Sequence, residues 1–184
     1  YVSNMARGVL WERLIFGKAT ISLLKGSLGE SFQAAKSLNE YCQKNDNPFL
    51  EGWSAWFLGT IALHKHQLEK ALKFFLRVAE LQYVTYDRAV IDSFVGQALV
   101  YSWMDQADRA KEAMKMADEY AAWTGDPGQQ DILMAAKARI ALMRGDHAAA
   151  FIWQSTFVTQ AHIPSMVFFL ANPFITECRV LLVE

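Results

Sequence analysis

The sequence predicts an all-α fold, a superhelix of repeated helical hairpins, and two series of small residues together with one absence predict it. Ala19, Gly59, Ala98, Ala138 and Cys178 follow one another at intervals of 40, 39, 40 and 40 residues. Self-similarity at a fixed period of this size marks a structural unit copied along the chain. Twelve residues after each of the first four comes a second small residue: Ser31, Ala71, Ala110 and Ala150. Small side chains on facing helices let the axes approach to about 8–10 Å, so each copy reads as two helices in close crossing. No stretch shows the period-two alternation of a half-buried strand. The copies span about 8–46, 47–86, 87–127 and 128–163, with a truncated fifth at 164–184, in one helical-repeat domain.

The first copy has Gly26 and Gly29 around its turn and carries Ser31 where the others have Ala. In the second, Asn47 is an N-cap and Pro48 suits the first helical position, where a missing N–H costs nothing. A helix over about 48–65 follows, and its partner over about 68–81 carries Leu68, Ala71, Leu72, Phe75 and Val78 as an amphipathic stripe. Residues 83–87 make the link. The third copy places helices at about 88–104 and 107–124 and ends at Gly125-Asp126-Pro127-Gly128, a breaker cluster that reads as a loop. In the fourth, a helix over about 130–144 stops at Gly145, Asp146 caps the next, and that helix extends to about residue 159. Asn172-Pro173 repeats the cap-plus-proline signature and opens the fifth copy.

Eighteen Lys and Arg against nineteen Asp and Glu leave a net charge of −1, which is no electrostatic footprint for nucleic acid. Hydrophobic residues make up 53% and mean hydropathy is +0.07, so part of the surface is expected to meet a partner. The densest apolar run, residues 166–171, is too short to cross a bilayer, and a cytoplasmic location without membrane contact is expected. Cys42 and Cys178 lack metal-ligand spacing and read as buried or half-buried thiols of a reducing compartment. The first residue is Tyr1 and the last five continue a helical pattern, so the chain reads as a piece of a longer protein.

With a small residue in the first helix, an aromatic three positions on, and Ala then Phe in the second, the chain resembles the tetratricopeptide repeats. Gly59, Ala71 and Phe75 carry the likeness in copy two; Ala98, Tyr101, Ala110 and Ala117 carry it in copy three. The longer period implies longer helices or links than that family uses. The run 138–146 followed by Trp153, and Phe168-Phe169-Leu170 before residues 179–182, resemble the repeat region of the large ATP-dependent, LuxR-type transcriptional regulators of the MalT family. That resemblance implies a sensor arm for a small-molecule effector or a protein partner, with a nucleotide-binding module before it and a helix-turn-helix domain after it. The alternative is a stand-alone adaptor holding a peptide in its groove.

No catalytic chemistry, cofactor site or metal site is expected. Gly17-Lys18 fails as a phosphate loop because Ala19 stands where Ser or Thr is needed and Glu12 where the opening glycine belongs. His64 and His66 are two apart, which turns them to different sides of a helix. His147 and His162 lack neighbouring ligands, and Asp105, Asp108 and Glu112 alternate with Arg109 and Lys111 as a solvated face. What remains is the concave groove that the resemblance assigns to the first helices. It would be lined by Arg13, Phe16, Thr20, Trp53, Trp56, Thr60, Leu63, Asp92, Val95, Leu99, Ser102, Trp103, Ala135, Arg139, Met143 and Arg179. Aromatics beside a few charges suit a binding surface, and the competing reading packs Trp53, Trp56 and Trp103 between copies as core. An uncapped end of such a stack also favours self-association.

Overall fold

The computed structural model describes residues 2–157, 170 and 172–183. Among them the fold is all-helical, with helices in successive packed pairs. They are α1 (Val2–Leu24), α2 (Leu28–Lys44), α3 (Pro48–His64), α4 (Leu68–Glu80), α5 (Asp87–Trp103), α6 (Ala107–Thr124), α7 (Pro127–Met143), α8 (His147–Thr156) and α9 (Pro173–Leu181). The chain forms two compact units, Tyr1–Ser93 and Phe94–Glu184.

The repeat is visible in its turns as well as in its helices. Gly26, His66, Asp105 and Gly145 all have positive φ, at 73°, 54°, 58° and 74°, and they recur at the same 40, 39 and 40 residues as the small series. Each turn closes the same way. The residue after the left-handed one donates its N–H five residues back, as Ser27 to Ser22, Gln67 to Ala62, Gln106 to Tyr101 and Asp146 to Ala141. The left-handed residue itself donates three back, as Gly26 to Leu23 and His66 to Leu63. These paired bonds satisfy the last carbonyls of each first helix, a Schellman closure.

In the first unit, α2 packs on α1 and on α3, and α4 packs on α3. Gly59 has the role that its place in the small series predicts: a Cβ there would lie 2.7 Å from Cε1 of the fully buried Phe75. Ser31 uses its hydroxyl for the same approach, donating to the Ala19 carbonyl at 2.9 Å. Asn47 caps α3 by accepting the Leu50 N–H at 3.3 Å. Gly52 gives way to Thr85, whose Oγ1 donates to the Phe49 carbonyl at 2.9 Å. Residues 51–63 of α3 are closed from solvent without interruption, as expected of a helix apolar all round. Within that burial Glu51 is paired with Arg77 Nε at 2.9 Å.

In the second unit Phe94 of α5 meets Tyr120 of α6 with ring centroids 6.2 Å apart. Ala135 and Ala138 of α7, Ala150 and Trp153 of α8, and Val180 of α9 share one core. The Gly125–Gly128 cluster is not a loop. Gly125 ends α6 in the left-handed region, Asp126 accepts the Gly128 N–H at 2.9 Å, and α7 already begins at Pro127. Breaker residues here cap two helices end to end, since proline is at ease in a first turn. Asn172 caps α9 as expected, accepting the Ile175 N–H at 3.2 Å. Two expectations need correction. The helix α8 stops at Thr156, and Cys178, the fifth small marker, is exposed. Pro173, Thr176 and Val180 are the buried positions of α9, and among the described residues no second helix follows to cover Cys178.

Candidate functional site

Of the residues expected to line a groove, three come together. Arg13 and Phe16 of α1 and Trp53 of α3 border an open cleft of about 480 Å³, along with Val9, Glu12, Asn47, Phe49 and Leu50. The local folding explains the arrangement. The Asn47 cap and Pro48 start α3 abruptly, which sets Phe49 and Leu50 in its first turn at the cleft mouth. Phe16 holds the wall, edge-on to Trp53 at 5.2 Å and to Phe57 at 5.4 Å. Trp53 is only 6% exposed and stacks on Tyr86 at 5.3 Å. The open apolar surface comes from Val9 and Phe49, each nearly half exposed. The polar lining is Glu12, Arg13 and Asn47: Asn47 Nδ2 donates to Glu12 Oε1 at 3.4 Å, and Arg13 is exposed without an ion-pair partner among the described residues.

The other groove candidates are not brought into this cleft. Trp56, Thr60, Asp92, Val95 and Leu99 are 0% exposed and Leu63 and Ala135 are buried, so none of them offers an accessible surface. Trp56 instead donates its indole N–H to Asp92 Oδ2 at 2.8 Å, a buried polar pair of the kind that fixes side chains in a core. The physical reason is that α3 is apolar on every side, so burial claims the face that the resemblance assigned to solvent. Thr20, Ser102 and Met143 are half-buried, and Trp103 is exposed. Arg139 donates to the Leu170 carbonyl at 2.8 Å and so holds the chain ahead of α9. Arg179 is half-buried, and the loss of solvent lowers its pKa.

Cys42 of α2 is buried, and burial pushes its thiol up to about 12, with the Glu12 and Glu51 carboxylates adding to the effect. It is an inert core thiol. A second depression, about 340 Å³, lies between α6 and α7 with Met114 and Ile140 at its base and Lys111, Lys115, Lys137 and Arg144 around it. Asp118 already neutralises Lys137 at 2.9 Å. Among the described residues no group of His, Cys, Asp and Glu is arranged to hold a metal ion, and no helix is long and apolar enough to cross a membrane.

Sequence reasoning missed Val9, Phe49 and Leu50. The signal for the last two was present, since both directly follow a cap-plus-proline start. Val9 carried none, because its exposure depends on what α2 leaves uncovered. No family model, curated protein or solved structure matches the chain.

Proposed function

We propose that the chain is a helical-repeat interaction domain whose α1/α3 cleft takes an apolar anchor of a protein or peptide partner, or a small effector of similar character. The observation that carries this reading is the cleft itself. Exposed Val9 and Phe49 line the cleft with a wall of Phe16 and Trp53 whose rings are locked by their neighbours, beside Arg13, which has no ion-pair partner among the described residues. A rigid aromatic pocket with charged groups at its rim is how interfaces concentrate affinity. As the sensor arm of a MalT-like, LuxR-type regulator, the domain would relay occupancy by population shift, the ligand favouring one packing of the cleft helices over another. That regulatory context rests on the resemblance of residues 138–146 with Trp153, and of residues 168–170 with 179–182, alone. The parent coding sequence tests it through the presence of a phosphate loop upstream and a helix-turn-helix downstream.

The binding claim is tested by selecting peptides against the whole protein from a random display library and measuring them by fluorescence anisotropy. Val9→Asp and Phe49→Asp should each weaken the selected peptides about tenfold or more while leaving the helical circular dichroism unchanged, since each residue is already nearly half exposed. Selected peptides that bind these variants as tightly as the parent protein place the site elsewhere and refute the assignment.

A further inference from the structure

Helix α1 carries a second feature, separate from the cleft. Leu10, Leu14, Ile21 and Leu24 are 59%, 63%, 55% and 51% exposed. With Gly17 they follow one another at alternating steps of four and three residues, the spacing of a helix-pairing seam. At 3.6 residues per turn the five fall within an arc of roughly 80° and span about 22 Å of helix. Gly17 stands at the middle of the stripe, and a Cβ built there would meet nothing within 4 Å, so a second helix has room to come close.

The rest of the chain shows what such a face is for. Forty residues on from Leu14, Gly17 and Ile21 stand Ser54, Phe57 and Ile61 of α3, and these are closed from solvent at 0%, 0% and 1%. The helix α2 packs on α3, and Ser54 Oγ donates to its Asn39 at 2.9 Å. Lys65, the equivalent of Lys25, lies over the ring of Phe32 in α2 at 5.7 Å. The outer counterparts, Leu50 and His64, are half-buried and exposed, so by the repeat's own geometry it is the middle of the α1 stripe, Leu14 to Ile21, that matches a seat for another helix.

Charge decides which kind. Arg13 lies on one flank of the stripe and Lys18 and Lys25 on the other, all exposed and without an acidic partner among the described residues. The acidic Glu12 points to the opposite side of α1, toward Asn47. A second copy of this chain would bring cations against cations on both flanks, and like charges facing across a helix pair are destabilising. An acidic flank would meet opposite charge along the whole seam.

We infer that the outer face of α1 is a docking site for an amphipathic helix with an apolar seam and acidic flanks. The inference goes beyond the cleft reading and shares only Arg13 with it, the apolar seam being made of different residues. Its test is a fluorescein-labelled helical peptide of about three heptads with Leu at the seam and Glu on both flanks, against the same peptide with Lys flanks. Mutual repulsion of the flanks keeps each peptide from pairing with itself.

The Glu peptide should bind the full chain, about tenfold or more tighter than the Lys peptide, with affinity falling as salt is raised. Leu14→Asp should abolish binding, and the Lys18→Glu, Lys25→Glu double variant should reverse the preference between the two peptides. All three positions are exposed, and circular dichroism verifies that the variants stay folded. Equal binding of the two peptides, or binding of neither, overturns the proposal. So does sedimentation showing a dimer that Leu14→Asp takes apart, because the occupant is then a second copy. Binding at this face that survives Phe49→Asp separates it from the cleft.

Discussion

Adding one methyl group at Gly59 tests whether the small series exists to let helices approach. A Cβ at that position would stand 2.7, 2.8 and 3.2 Å from three carbons of the Phe75 ring, where carbon atoms normally meet at about 3.5–4.0 Å. The ring edge would have to retreat by nearly 1 Å. It has nowhere to go, because Phe75, Ala71 and Val78 are all 0% exposed. Overpacking of this kind costs about 1–3 kcal/mol, while replacing a mid-helix glycine by alanine returns about 0.8–1 kcal/mol of helix propensity. Gly59→Ala should therefore destabilise the protein by about 1 kcal/mol, read as a lowered urea midpoint at unchanged slope. In a Phe75→Leu background the ring is gone and only the propensity gain remains. There the same substitution should stabilise, by up to about 1 kcal/mol. A sign reversal between the two backgrounds is a direct measure of the coupling. If Gly59→Ala raises the midpoint in both, the close approach is not what the glycine is for.

His66 and Asp105 hold left-handed backbone at φ 54° and 58° where a glycine would be unstrained. His66→Gly and Asp105→Gly should each raise stability by about 0.5–1 kcal/mol, and Gly26→Ala and Gly145→Ala should lower it by about 1 kcal/mol, all read as urea midpoints. Removing the guanidinium in Arg77→Met leaves Glu51, 7% exposed, without its 2.9 Å partner; a loss of about 2–3 kcal/mol is expected, for a carboxylate that has become a buried unpaired charge. In the native state one thiol per chain should react with a disulfide reagent at neutral pH, the exposed Cys178, and Cys42 should become available only on unfolding. Because the Cys42 thiol is held neutral up to about 12 against an ordinary 9.0, the unfolded chain loses its proton first as pH rises. That group's contribution is complete below 9.0 and is lost between 9.0 and about 12, so stability falls across this window. Cys42→Ala should show a shallower alkaline fall in thermal midpoint than the parent protein.

The helical pairs were legible in the sequence because their causes are local. A cap and proline at Asn47-Pro48 or Asn172-Pro173, and a small residue where two helices cross, leave their mark within one turn or one hairpin. The recurrent left-handed turn was half legible. Gly26 and Gly145 announce it, whereas His66 and Asp105 adopt the same φ without being glycine, held by the paired hydrogen bonds that close each hairpin. The Gly125–Gly128 cluster misled because proline and glycine have two meanings, a break in the chain or the first turn of a helix. Only the Asp126 cap tells them apart.

The groove was the least legible feature, and the reason is energetic. A resemblance to open repeats assigns the first helices to a solvent-lined concave face. Yet 51–63 and 88–100 are buried residue after residue, each large apolar side chain among them contributing about 1.5–3 kcal/mol that exposure would forfeit. Helices that apolar cannot also serve as a wetted binding wall. On the proposed reading, binding falls to α1, which keeps an exposed apolar face among the described residues. One of its edges borders the Phe16–Trp53 cleft, and its outer face keeps Leu14 and Ile21 exposed where their counterparts on α3, Ser54 and Ile61, are enclosed. On the proposed reading a binding site is sought where the repeat leaves a face of α1 uncovered, and charge on the flanks of that face selects what settles there.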